Sequence, residues 1–147
     1  MADKVIIDTN IFVNAFFKQD TELECLDIIS NLQQFNIRLL FSQNTIGELM
    51  YVVKRSANSA NWDEEAKLNV LRLLADVFYY GKSVNTRHID KSSLPSIKDH
   101  DDDMFIELAY STETDYLVTM DGKSGMLDLG NAPFKCCTPA EFLQYMR

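Results

Sequence analysis

The sequence predicts an α/β fold, with a central, mostly parallel β-sheet flanked by helices on both faces. Three observations carry this expectation. Short apolar runs rich in strand formers recur at residues 5–7, 38–41, 116–119 and 134–137. Segments with apolar residues at helical spacing separate these runs. No repeat, low-complexity tract or linker interrupts the alternation, so residues 1–147 read as one domain.

The elements follow in order. Val5-Ile6-Ile7 is a short buried strand, and Ile11, Phe12, Ala15 and Phe16 give residues 9–17 a helical stripe. Asp20 or Thr21 can cap a second helix that buries Leu23, Leu26, Ile29 and Leu32. After the strand 38–41, Ser42 to Thr45 starts a helix whose apolar face is Ile46, Leu49, Met50 and Val53. Residues 56–61 read as a polar turn. Asn61 then caps a long helix to about Tyr80, with Asp63, Glu64 and Glu65 complementing its dipole and Leu68, Leu71, Leu74 and Phe78 inward. Gly81 stops it.

Residues 82–89 are a weak strand candidate and 90–98 a loop containing Pro95. Phe105, Ile106 and Ala109 show helical spacing within 101–111, and Tyr116-Leu117-Val118-Thr119 is a clear strand. A loop with Gly122, Gly125 and Gly130 leads to the last strand. Thr138-Pro139-Ala140-Glu141 has a hydroxyl cap, Pro at the first helical position and Glu three residues after the cap.

Composition narrows the function classes. Hydrophobic residues make up 46% and charged residues 24%, ordinary for a globular chain. No apolar run can span a bilayer, and the N-terminus lacks a secretory pattern, so a cytoplasmic location is expected. Cys25, Cys136 and Cys137 suit neither a disulfide framework nor zinc spacing, and act as small hydrophobes. With only His88 and His100, an imidazole-rich metal site is not expected. The net charge of −8 argues against a broad basic surface for duplex nucleic acid, while leaving room for a cation-dependent acidic pocket.

The acids are the chemical signal. Asp8 ends the first strand, Glu48 lies early in the third helix, Asp99 and Asp101 to Asp103 precede Phe105, and Asp121 follows the strand 116–119. Strand ends and the starts of following helices share one edge of a parallel sheet, so these acids converge there. Two carboxylates ~5 Å apart repel by roughly 3 kcal/mol at an effective dielectric of ~20. Mg²⁺ or Mn²⁺, which prefers oxygen ligands, relieves that repulsion and activates water for attack on a phosphodiester. Taken singly, each acid has a plainer role: 101–103 as helix caps, Glu48 as a solvated helix residue, Asp121-Gly122 as a turn.

The order of these blocks resembles the PIN-domain family of small metal-dependent ribonucleases, which includes VapC-type toxins of toxin–antitoxin pairs. The resemblance rests on Ile6-Ile7-Asp8-Thr9-Asn10-Ile11-Phe12, on Ser42 with Thr45-Ile46-Gly47-Glu48-Leu49, and on Asp99 to Ala109. It continues with Asp115 to Asp121 and with Thr138-Pro139-Ala140-Glu141-Phe142-Leu143, and so spans nearly the whole chain. It implies a PIN-like nuclease domain with Asp8, Glu48, Asp102 and Asp121 as catalytic and metal-binding acids. Asp102 is chosen because it stands seven residues before Ala109, matching the family spacing, with Asp99 and Asp103 as fallback acids. Thr9, Asn10, Ser42 and Thr119 match polar positions that orient the acids. After Asp121 the chain departs from the pattern: many relatives place another acid two residues on, where this one has Lys123.

The resemblance implies an endoribonuclease acting on single-stranded or structured RNA, with an antitoxin protein as a further partner. The surplus of apolar residues on the helix 62–80 suggests a homodimer. A strand-end phosphatase would need a second Asp where Asn10 stands. A PIN fold that binds nucleic acid or a partner without turnover is the non-enzymatic alternative. His100 reads as an exposed loop histidine, Lys54-Arg55 as complements to a helix end, and Trp62, Tyr79 and Tyr80 as packing residues.

Overall fold

Val5 and Ile7 belong to one hydrophobic core and Ile6 to another, and this alternation organises the molecule. Leu39 and Phe41 against Leu40, and Val118 against Leu117, repeat it on the neighbouring strands. Successive side chains of a strand point to opposite faces, so a sheet covered on both sides reads as continuous apolar runs. A computed structural model describes residues 2–120 and 122–147. Its sheet comprises β1 (Asp3–Ile7), β2 (Ile37–Phe41), β3 (Gly81–Ser83), β4 (Tyr116–Val118) and β5 (Lys135–Cys137). The order is β3-β2-β1-β4-β5, and every pairing is parallel.

Among the described residues, six α-helices clothe the sheet. One core draws on α1 (Thr9–Phe17), α2 (Leu23–Ser30), α3 (Gln43–Ser59), α4 (Glu64–Tyr79) and α6 (Pro139–Met146). The opposite core is built on α5 (Asp103–Ser111), with Ile97, Met126 and Phe134 from the connecting segments. Because β2 and β3 extend to one side of β1 and β4 and β5 to the other, the strand order reverses between β1 and β4. The C-terminal ends of strands at such a reversal form a natural crevice.

Local chemistry sets the helix starts. Ser42 and Thr45 form a capping box on α3, and Thr138 and Glu141 form one on α6 behind Pro139 at the first turn. α3 is longer than the polar composition of 56–61 suggests: Ala57 is buried, and the helix runs on through Ser59. The chain reverses at Asn61, which takes the left-handed conformation at φ 53° that Asn tolerates better than most residues. Asp63, not Asn61, caps α4 by accepting the Ala66 N–H at 2.8 Å.

Two helices bury a different stripe from the expected one. α2 turns Cys25 and Ile28 inward while Leu23 is exposed, and its cap position holds Glu22 without a side-chain bond. α4 buries Val70, Leu74 and Val77, leaving Leu68 and Leu71 exposed. Both the expected and the observed α4 stripes pass through Leu74 at helical spacing, so periodicity does not choose between them when apolar residues surround the helix. On α3, Met50 likewise faces outward and Thr45 inward. The strand expected over 82–89 is only β3, held close to β2 because a Cβ at Gly81 would lie 2.7 Å from Phe41 Cε2.

Candidate functional site

Asp8 lies at the reversal between β1 and β4. Its N–H donates to Val118 O at 2.9 Å, extending the parallel ladder one step past Ile7. Only 3% of Asp8 is exposed. A buried carboxylate is costly unless hydrogen-bonded or paired, and the Thr119 hydroxyl donates to its Oδ2 at 2.8 Å. Asp8 occupies the cap position of α1 but makes no side-chain capping bond, so the carboxylate is directed elsewhere than the helix start.

Thr9 joins the next acid. Its buried hydroxyl donates to Glu48 Oε2 at 2.5 Å, tying α1 to α3 one residue from Asp8. Ser42 is buried in the capping box that fixes the start of α3, and so acts on Glu48 through the helix. Asn10, by contrast, is exposed. A small internal space beneath the edge is lined by Thr9, Thr45, Leu49 and Phe105, which sets the start of α5 beside α1 and α3.

Asp102 lies one turn before Phe105, half-buried at the cap position of α5, and it too makes no side-chain capping bond. The two fallback acids have other engagements. Asp99 Oδ1 accepts the Asp101 N–H at 3.0 Å, and Asp103 Oδ2 lies 3.2 Å from Nδ1 of the exposed His100. The Asp99 N–H donates to Ser124 O at 3.2 Å, so the loop before α5 rests on the loop after β4. Gly125 allows this approach: its φ is +93°, and a Cβ there would meet Lys98 N at 3.3 Å. Asp121 lies outside the described residues. Among the described residues, no group of three or more His, Cys, Asp or Glu side chains comes together in a way that could hold a metal ion.

The buried thiols Cys25 and Cys137 stay protonated near neutrality. Burial pushes the Cys25 thiol up to about 11, helped by nearby Glu22, and Cys137 up to about 12. Neither is a thiolate near neutrality. Trp62 packs on Phe17 with ring centroids 4.5 Å apart, whereas Tyr79 is exposed. Lys54 and Arg55 sit within α3 rather than at its end, with Arg55 over the Tyr51 ring. Strand and helix periodicity does not single out a polar cleft at the same sheet edge, formed by Gln43, Asn44, Ser83, Asn85, Thr86 and Arg87. Its signal in the sequence is a run from 81 to 89 that contains no acid.

A five-stranded parallel sheet with a buried acid at its reversal point defines an α/β domain of the kind that places its site at strand C-termini. Residues 4–123 match the PIN domain family, and the chain belongs to it. The fold is similar to that of a chain in the crystal structure of VapBC2 from Rickettsia felis bound to a DNA fragment from their promoter. That similarity has a TM-score of 0.56 at 15% sequence identity, covering 90% of this chain and 98% of the other. Comparison with curated proteins finds no match. Among the described residues, no helix is long and apolar enough to cross a membrane.

Proposed function

We propose that this PIN domain is a divalent-cation-dependent endoribonuclease. The observation that carries the reading is Asp8, buried at the sheet reversal and bonded to Thr119, with Glu48 tethered beside it through Thr9. The donor set fits a hard ion, because it offers carboxylate and hydroxyl oxygens and no imidazole or thiolate. Asp8 and Asp102 would hold Mg²⁺ or Mn²⁺, with Glu48 and Asp121 completing the pocket directly or through water. When bound, the cation would offset the negative charge of the carboxylates that held it and support water attack on a phosphodiester.

The chain's own residues have separable tasks. Thr119 fixes the rotamer of Asp8, Thr9 fixes Glu48, and the Ser42 capping box fixes the helix that carries Glu48. Asn10, exposed at the start of α1, would contact the substrate or orient the acids from the solvent side. The assembly named for the Rickettsia felis structure supports extending the reading to one member of a toxin–antitoxin pair, with an antitoxin protein as partner. The exposed apolar residues of α4 support a homodimer.

A second reading is a PIN fold that binds nucleic acid or a partner without turnover. The observation favouring it is that, among the described residues, no three His, Cys, Asp or Glu side chains come together in a way that could hold a metal ion. Labelled single-stranded RNA, incubated with Mn²⁺, Mg²⁺ or EDTA, separates the two. The nuclease reading expects cleavage with either cation, none in EDTA and none by Asp8→Asn. Cleavage in EDTA or by Asp8→Asn overturns the cation mechanism, and binding without cleavage establishes the second reading.

A further inference from the structure

The sheet edge at which β1 ends in Asp8 also carries a cleft of different character, between the start of α3 and the end of β3. It encloses about 420 Å³ and is lined chiefly by Gln43, Asn44, Ser83, Asn85, Thr86 and Arg87. In a chain of net charge −8, no carboxylate among the described residues lines it. Among the described residues, Arg87 forms no salt bridge. The two walls are the first turn of α3 and the segment after β3. The Phe41–Ser83 pairing and the Val84 N–H to Phe41 O bond at 2.7 Å hold them together. Asn85 Oδ1 accepts the Arg87 N–H at 2.9 Å and shapes the loop that presents the guanidinium.

The cleft lies about one helical turn from Glu48. Asn44 precedes Glu48 by four residues on α3, which places both on one helix face about 6 Å apart along the axis. Its lining combines three amides, two hydroxyls and one guanidinium. Phosphate oxygens accept from guanidinium and amide N–H groups, whereas a ribose 2′-hydroxyl both donates and accepts, as amides and hydroxyls can answer. No aromatic side chain among the described residues lines the cleft, so it offers a backbone seat and no stacking platform.

We propose that this cleft is the subsite for the ribose–phosphate backbone of single-stranded RNA, adjoining the bond presented to the acids. The proposal rests on the ribonuclease reading for its substrate class, and it deepens that reading by locating the strand. It resolves the charge problem of an acidic chain acting on a polyanion: the acids hold cations, and the neighbouring acid-free cleft holds the phosphate.

The test is binding of a fluorescently labelled single-stranded RNA, followed by anisotropy in EDTA so that binding is read without cleavage. Arg87→Glu is expected to weaken binding about tenfold and to reduce the slope of log affinity against log salt by about one. Asn44→Asp, which adds an acid without touching Arg87, should weaken it as well. Both substituted cleft residues are exposed, and unchanged thermal melting confirms folding. Wild-type affinity in both cleft variants overturns the proposal. A DNA strand of the same sequence should bind more weakly, and equal affinity overturns the ribose contacts. If the wild type binds RNA through Arg87 but does not cut it, the ribonuclease reading fails and the subsite stands. If it cuts RNA with kcat/KM unchanged by Arg87→Glu, the subsite fails and the ribonuclease reading stands.

Discussion

The Thr119 hydroxyl donates to Asp8 Oδ2 at 2.8 Å, across 111 residues of sequence. The parallel register Ile7 to Val118 creates this bond, because each residue is the next one beyond the paired strands. Thr119 is fully buried, so the bond has little competition from water. Thr119→Val keeps the shape and removes the donor. It should destabilise the fold by about 1–3 kcal/mol, the range for losing a buried partner of a charged group. Urea unfolding measures it, and Thr119→Ser should recover most of the loss. Equal midpoints for wild type and Thr119→Val would show that the bond contributes nothing.

A cation that binds only the folded state stabilises it by about 2.7 kcal/mol at a hundredfold excess over its Kd. Mn²⁺ should therefore raise the melting temperature of the wild type far more than that of Asp8→Asn or Asp102→Asn. Asp99→Asn and Asp103→Asn should retain the shift, since those carboxylates are engaged with the Asp101 N–H and with His100. A shift lost in Asp103→Asn and kept in Asp102→Asn would move the ligand by one position. Equal shifts in all five proteins would place the cation elsewhere.

The fold and the geometry of the candidate site were legible in the sequence to different depths. Short apolar runs such as Val5-Ile6-Ile7 serve two cores at once, and only a sheet covered on both faces needs that pattern. The Thr138 to Glu141 capping box was equally plain, because its donors and acceptors lie within one turn. The inward stripes of α2 and α4 were not, since Cys25 and Val70 compete with Leu23 and Leu71 and only tertiary contact decides between them. The placement of Asp8 followed from strand-end logic. The Thr9–Glu48 bond did not, because it depends on how α1 and α3 cross.

The outward stripe of α4 has its own consequence. Leu71 is 58% exposed and lines an apolar groove with Met50 and Tyr51 of α3, and Leu68 on the same helix is 47% exposed. Exposed apolar surface of this continuity marks association sites. If it joins two copies, Leu71→Glu should convert a dimer to a monomer in sedimentation without lowering the melting temperature of the monomer. A wild-type chain that sediments as a monomer at micromolar concentration would remove the homodimer from the proposed function.

The buried thiols give the protein an alkaline liability. Cys25 and Cys136 are pushed up to about 11 and Cys137 to about 12 from an ordinary value of 9.0, each chiefly by burial. The unfolded chain thus releases thiol protons at a lower pH than the folded one. Above pH 9 the folded state binds more protons, and stability must fall as pH rises until the folded thiols ionise near 11 to 12. Burial also raises Tyr110 and Tyr116, which adds to the loss from about pH 10 upward. Urea midpoints between pH 8 and 10 should therefore decline, and Cys137→Ala should decline less steeply even though its cavity lowers stability at every pH. The slope is the readout, because the cavity cost does not depend on protonation. The same burial predicts slow reaction of the native thiols with a disulfide reagent at pH 8 and full reaction in urea. Rapid reaction of native Cys25 or Cys137 would contradict their assignment as protonated core residues.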